Sequence, residues 1–160
     1  MKIEMYDEGP AITVDDLSNL EQQVTKKLPD SLKQLLLKHN GGHPYPSKFK
    51  VQWKDQDWAD GYNVGSFGDF YSINEDDEVG DFFEHFQSFE GRIPASTLAI
   101  AHLSGGDLLL IGVDDDNKGK IYYWAHSFET DDDDEPDYSN VGFVADDLNQ
   151  LFEILYDDEA

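Results

Sequence analysis

Cysteine is absent from this sequence of 160 residues. Disulfide bonds, thiolate nucleophiles and zinc sites built on cysteine are therefore excluded. Long uncharged apolar runs are also missing, and none approaches the roughly 18 residues that a membrane-spanning helix needs. The first residues lack the basic and then apolar pattern of a signal peptide. We therefore expect a cytoplasmic protein that binds no membrane.

Basic side chains are scarce. There are 11 Lys and Arg residues against 35 Asp and Glu, which gives a formal net charge of −24, and no Lys or Arg follows Lys120. Such a charge repels nucleic acid and anionic membranes, so we expect a partner of another kind. With 39% hydrophobic and 13% aromatic residues, the chain is too apolar for a disordered acidic protein. Its length predicts one domain over residues 1–160.

Two helices are predicted near the N-terminus. Thr13 and Asp16 resemble a capping box, and apolar residues then recur every three or four positions as far as Leu28. Pro29 ends this first helix and opens a second, over residues 30–39, which an Asn-Gly-Gly sequence terminates. We expect these two helices to pack as a pair on one core.

The rest of the chain predicts a sheet and two further helices. Strict alternation over residues 48–54 and an aromatic-rich run over 62–73 indicate strands, and residues 97–126 indicate a three-stranded antiparallel meander with a central, doubly covered middle strand. A short strand is expected at 141–144. Further helices are expected from the acidic residues 75–78 to Phe89, and from residue 145 or 146 onwards. The predicted fold class is α+β, a single domain whose mixed or antiparallel sheet is flanked by an N-terminal helix pair and a C-terminal helix.

Several short motifs occur in a characteristic order. The first three are Leu20-Glu21, Leu28-Pro29-Asp30-Ser31-Leu32 and Asn40-Gly41-Gly42. Later ones are Ile93-Pro94, a Gly106-Asp107 hairpin, and a turn at Gly119 followed by Ile121-Tyr122. Together with the Leu/Phe-rich closing helix, this pattern resembles the SUKH superfamily, the Smi/Knr cell-wall-regulator homology family. The resemblance covers about residues 12–156, which it implies as the core of the domain, with short N-terminal and C-terminal tails.

The resemblance implies an α+β fold with no known catalytic apparatus. Most bacterial members are thought to be immunity proteins, which bind and neutralise polymorphic toxins that are frequently nucleases. Fungal members act instead as regulatory interaction proteins. The family provides no residue-level binding motif, so no functional residue is transferred to this sequence.

Catalytic and cofactor motifs are not found. The glycine pairs lack the Lys-Ser/Thr ending of a phosphate-binding loop, and no G-x-S-x-G elbow occurs. His39 and His43 are four residues apart, but the glycines between them break the helix that would align them as metal ligands. We therefore predict no enzyme, no catalytic residue, no resident metal and no cofactor.

Calcium binding is a further alternative. Asp114, Asp116 and Gly119 match positions 1, 3 and 6 of a calcium-binding loop, but Lys118 occupies position 5 and Ala125 replaces the glutamate of position 12. A polar hairpin turn explains this segment better. The acidic run at residues 131–135 could bind a divalent ion loosely, although a solvated acidic loop is the stronger interpretation.

The acidic surface indicates a basic partner. Nuclease toxins carry basic grooves for phosphates, and dense carboxylates imitate the phosphate backbone and speed association. The resemblance and the charge together predict an immunity protein that binds a cognate toxin with a basic surface. A regulatory interaction module without a toxin is the alternative, and an acidic calcium-responsive protein is a weaker one. The predicted binding residues are Asp114, Asp115, Asp116, Asp131, Asp132, Asp133, Asp134 and Glu135, with Trp53 and Trp58 as aromatic anchors.

Overall fold

A computed structural model describes residues 4–53, 64–74, 81–128 and 135–157. Its helices are α1 (Val14–Val24), α2 (Asp30–Lys38), α3 (Phe82–Phe89) and α4 (Leu148–Ile154). Its strands are β1 (Glu4–Tyr6), β2 (His43–Tyr45), β3 (Lys48–Lys50), β4 (Val64–Phe70), β5 (Thr97–Leu103), β6 (Leu108–Gly112), β7 (Ile121–Trp124) and β8 (Val141–Ala145).

Strands β3 to β8 form one six-stranded sheet in chain order, and β1 pairs with β2 in a separate ribbon. All the strand pairs are antiparallel, so the predicted α+β class is confirmed and the sheet is antiparallel rather than mixed. The predicted meander is β5, β6 and β7. Its middle strand β6 is central and fully buried, as its two apolar faces require.

The sheet nearly closes on itself. Gln52, two residues beyond β3, exchanges two backbone hydrogen bonds with Phe143 of β8, at 2.8 and 2.9 Å. Phe49 is fully buried inside the curve, where its ring meets Phe67 at 5.4 Å and Tyr123 at 6.4 Å between centroids. A Cβ atom on Gly65 would lie 2.3 Å from the Phe49 ring. Glycine at position 65 therefore makes room for the ring that fills the interior.

Helix α1 begins as predicted and ends earlier. Thr13 and Asp16 form the capping box, and the buried face consists of leucines and a valine. Thr25 adopts a left-handed conformation with φ of 55°, which ends the helix at Val24 rather than at Leu28. Glu21 then accepts a hydrogen bond from the Leu28 amide at 2.8 Å and pairs with Lys33 at 3.4 Å. The Leu-Glu pair of the family signature thus fixes the link to α2.

Helix α2 ends at Lys38, one residue earlier than predicted, because His39 is extended and caps the helix in place of a glycine. The Asn-Gly-Gly sequence that follows joins three segments. Asn40 is 4% exposed, and its side-chain amide donates to the carbonyls of Pro10 and Ile73 and accepts from the Ile73 amide. Gly41 and Gly42 have φ values of 82° and 110°, and a Cβ atom on Gly42 would lie 2.6 Å from a backbone oxygen. Only glycine fits this approach without strain. Although both α1 and α2 bury leucines in the core, α1 lies against α3 and α2 against α4.

The remaining boundaries differ from the predicted ones for local reasons. Helix α3 begins at Phe82 because Asp81 is extended and caps the Glu84 amide. The acidic residues 75–78, predicted to open this helix, lie outside the described residues. Helix α4 begins at Leu148, after the Asp147 cap, because residue 145 is still paired in β8. The strands predicted over 48–54 and 62–73 are shorter, and residues 54, 62 and 63 lie outside the described part. Within the described ranges, no helix is long and apolar enough to cross a membrane.

Replacing Asn40 by Ala should destabilise the fold by about 2–4 kcal/mol, because two part-buried carbonyls and an amide lose their partner, the buried Asn40 side chain. Chemical denaturation of the Asn40→Ala protein measures this loss. The matched control is Asn149→Ala, at an exposed position of α4, which should change the free energy of unfolding by less than about 0.5 kcal/mol. An Asn40→Ala protein as stable as this control would contradict the assignment.

Candidate partner-binding surface

The acidic turn comprises residues 114–119, between β6 and β7. Asn117 holds it: its side-chain oxygen accepts from the Asp114 amide at 3.0 Å, and its amide group donates to the Ser96 carbonyl at 3.1 Å. Asp114, Asp115 and Asp116 are all exposed, whereas Asn117 is buried. The turn is therefore a rigid platform that carries three carboxylates into solvent.

A cleft of about 590 Å³ lies beside the acidic turn. We call it the tyrosine cleft because Tyr122 of β7 and Tyr138 line it together with Phe143 of β8. Asp114 and Asp116 line the same cleft. The ring centroids of Tyr122 and Tyr138 are 5.8 Å apart, and those of Tyr122 and Phe143 are 6.3 Å apart. Aromatic rings and carboxylates thus share one concave surface.

Strand alternation creates this cleft. Tyr123 points into the curve of the sheet towards Phe49, so its neighbour Tyr122 points to the outer face. Phe89 of α3 covers the outer face at Trp124, with ring centroids 5.8 Å apart. The cleft lining contains no α3 residue among those that the structure describes. The outer face of β7 and β8 is therefore covered at one end and open at the other.

Burial and hydrogen bonds hold the two tyrosine rings of the cleft in place. Burial raises the pKa of Tyr122, and the neighbouring Tyr138 raises it further, against a smaller opposite effect of a hydrogen bond with Asn117. Tyr138 bonds to the Ser96 hydroxyl and accepts from the Asn117 amide group at 3.2 Å. Asp137, the exposed residue just before Tyr138, accepts hydrogen bonds from Ser139. These bonds lower the pKa of Asp137 and favour its ionised form. Both rings therefore present fixed faces to the solvent.

Among the other predicted binding residues, Glu135 and Trp53 do not line this cleft. Glu135 lines a separate cleft of about 440 Å³ whose apolar wall includes Phe86 and Phe89. Trp53 is partly buried against the core, edge-on to Tyr123 at 5.9 Å. Trp58 and residues 131–134 lie outside the described residues. Among the described residues, no group of three His, Asp or Glu side chains could hold a metal ion.

Sequence reasoning missed the three aromatic residues of the cleft. They come from three separate segments, and Tyr138 follows the acidic run, where no periodicity marks it. The Tyr122-Tyr123 pair was a usable signal, since adjacent strand residues face opposite sides and one of the two rings must point outward. Which ring does so depends on the register of β7 with β6 and β8.

A second polar cluster surrounds Asp107, which is 5% exposed. The Asp107 carboxylate accepts from the Tyr123 hydroxyl, from the His126 amide at 2.9 Å and from the His126 ring at 2.5 Å. A carboxylate that orients a histidine also occurs in hydrolytic triads. Within the described residues, however, no hydroxyl bonds to the other ring nitrogen of His126. The cluster ties the β5–β6 hairpin to the end of β7.

The fold and this surface define an α+β protein with an acidic, aromatic-lined face. Comparison with known families gives a match over residues 11–154 to the SMI1 / KNR4 family (SUKH-1). The chain belongs to this family, as the resemblance in its motifs indicates. No curated protein matches the chain significantly.

Two buried tyrosines provide a matched test of the core. Tyr123→Phe should cost about 1–3 kcal/mol, because Asp107 loses a buried donor. The Tyr71 hydroxyl has no hydrogen-bond partner among the described residues, so Tyr71→Phe should be neutral or stabilising by about 1 kcal/mol. Thermal and chemical denaturation measure both changes, and equal destabilisation by the two substitutions would contradict the assignment.

Tyr71 also predicts how the stability of the fold depends on pH. Burial raises the pKa of Tyr71 above the ordinary value of about 10. The folded state therefore holds the phenolic proton more tightly than the unfolded state, and this contribution to stability is lost as the pH rises past that value. Tyr71→Phe should lose less stability than the parent protein between neutral and strongly alkaline pH. Equal losses of stability in the parent protein and in Tyr71→Phe would contradict a raised pKa of Tyr71.

Proposed function

We propose that this chain is a non-enzymatic, cytoplasmic immunity protein that binds and neutralises a cognate protein toxin. Membership of the SMI1 / KNR4 family (SUKH-1) supports this class of function. The observation that carries the proposal is the rigid acidic turn beside the tyrosine cleft. Interfaces that bind tightly combine buried aromatic anchors with a charged rim, and this surface has both.

The charge favours a basic toxin, in particular a nuclease domain. A nuclease needs cationic side chains for the phosphates of its substrate, so its active groove attracts a surface dense in carboxylates. The whole chain carries a net charge of −24, which adds long-range attraction. An inhibitor must capture its toxin before the toxin reaches its substrate, so a fast association has functional value.

The other predicted binding residues retain a proposed role. Glu135 and the acidic residues 131–134 would extend the negative field, and Trp58 would act as a further anchor. For Trp53 the structure favours a different use, because its ring packs against Tyr123 and beside Gly142 in the core. We propose that Trp53 supports the surface from within rather than contacting the toxin.

Co-expression tests the function. Cells that express the toxin domain encoded beside this gene should survive when this chain is abundant and die when it is replaced by an unrelated acidic protein of similar size. Survival that depends on this chain supports the proposal. Death in the presence of abundant folded chain, or the lack of any neighbouring toxin gene, would contradict it and favour the regulatory alternative.

Association kinetics test the electrostatic part. The association rate with the purified toxin should fall steeply as salt rises, because ions screen the attraction. Changing Asp114, Asp115 and Asp116 together to Asn should lower this rate by about three- to tenfold at low salt.

The matched control changes three other exposed carboxylates, Asp7, Asp15 and Asp30, to Asn. Both variants reduce the net charge equally, so the control isolates the position of the charge from its amount. The control should change the association rate by less than about twofold. Equal effects of the two variants, or a rate insensitive to salt, would contradict steering by the acidic turn.

A further inference from the structure

We infer that the tyrosine cleft binds an arginine side chain of the partner protein, with the guanidinium stacked on one tyrosine ring, that of Tyr138, against the edge of Tyr122, and paired with Asp114 and Asp116. The inference rests on the proposed function for the identity of the partner as a basic protein. It adds the chemical group that the partner inserts and the place where that group binds.

The shape and lining of the cleft suit a planar cation. Its volume of about 590 Å³ exceeds that of one side chain, and the ring of Tyr122 meets Tyr138 at an interplanar angle of 59° and Phe143 at 75°. The rings therefore form a corner rather than a closed stack, which leaves ring faces available. A guanidinium stacks on such faces, whereas an ammonium ion is compact and more strongly hydrated.

The charges in and around the cleft also match arginine. Asp114 and Asp116 line the cleft, and neither is paired with a cation among the described residues. The ion pair in the turn joins the exposed side chains of Lys118 and Asp115 at 4.0 Å. Asp115 is not among the residues that line the cleft, so this pair leaves the two carboxylates of the cleft unneutralised. Lys120 also lines the cleft and would oppose a cation placed beside it. An incoming guanidinium is therefore expected on the side of Asp114 and Asp116.

Other occupants fit the cleft less well. A second copy of the chain would bring another net charge of −24 against the same surface. A nucleic acid would stack its bases on the tyrosines, but its phosphates would meet the carboxylates of the turn. A lysine side chain would satisfy the charge without using the flat ring faces. Arginine is the group that uses both features.

Peptide binding tests the inference without the toxin. The probes are a short acetylated peptide of Arg-Gly-Ser repeats and its counterpart with lysine in place of arginine, at about 0.15 M salt to limit long-range attraction. The arginine peptide should bind about three- to tenfold more tightly than the lysine peptide. Amide chemical-shift changes should centre on residues 114–122 and 138–143.

Substitutions then locate the preference. Tyr138→Ala and Tyr122→Leu should abolish the preference for arginine, whereas Tyr138→Phe, which keeps the ring, should retain it. The control is Tyr6→Ala, since Tyr6 is 50% exposed, bonds to Glu4 and lies in the separate ribbon. If either ring variant fails to fold, Asp114→Asn with Asp116→Asn, at exposed positions, should weaken the arginine peptide by at least about threefold.

The outcomes separate this inference from the proposed function. Equal affinity for the two peptides, shifts centred elsewhere, a preference that survives loss of the rings, or self-association through the cleft would overturn the arginine site. In the co-expression assay, full protection by Tyr138→Ala and by the paired asparagine variant would overturn the site and leave the immunity function standing. Arginine-selective binding without protection by the parent chain would overturn the function and leave the site standing.

Discussion

Two backbone hydrogen bonds between Gln52 and Phe143 join the first and last strands of the six-stranded sheet. Because the sheet nearly closes there, it has a concave interior, which Phe49 and Tyr123 fill. Glycine at position 142 permits the closure, since a Cβ atom would lie 2.6 Å from the side chain of Val51. The same pairing turns the side chain of Phe143 to the outside, next to Tyr122. The interior packing and the outer cleft therefore both follow from the pairing of Gln52 with Phe143.

The family signature serves the scaffold. Glu21 fixes the link between the first two helices, Asn40 joins the end of the second helix to two other segments, and Asp107 ties a hairpin to the end of β7. The side chains of these residues make hydrogen bonds within the protein, so they stabilise the fold and carry no information about the partner. The surface that we propose for recognition shares Gly119 and Tyr122 with the signature, whereas its carboxylates, Tyr138 and Phe143 lie outside it.

Features that depend on neighbouring residues in the sequence could be predicted, whereas features that depend on contacts between separate segments could not. The capping box at Thr13 and the fully apolar central strand are local patterns, and the structure has both. The predicted glycine cap of the second helix is wrong, because an extended His39 ends that helix first. The predicted end of the first helix, at Leu28, is wrong. The apolar periodicity continues to Leu28, but Thr25 is left-handed and ends the helix, and the Leu28 amide donates to the Glu21 side chain instead of to the helix backbone. The tyrosine cleft was not predicted, because strand register and sheet closure bring its three rings together from separate segments.

The central claim is that the outer face of β7 and β8, with its acidic turn, contacts the partner. Amide hydrogen exchange of the free chain and of its complex with the toxin tests this most directly, because exchange reports each segment separately. We expect slower exchange on complex formation in residues 114–119 and 135–140, and no change around Asn40. Protection confined to the β1–β2 ribbon or to the cleft beside Phe86 and Phe89 would contradict the account.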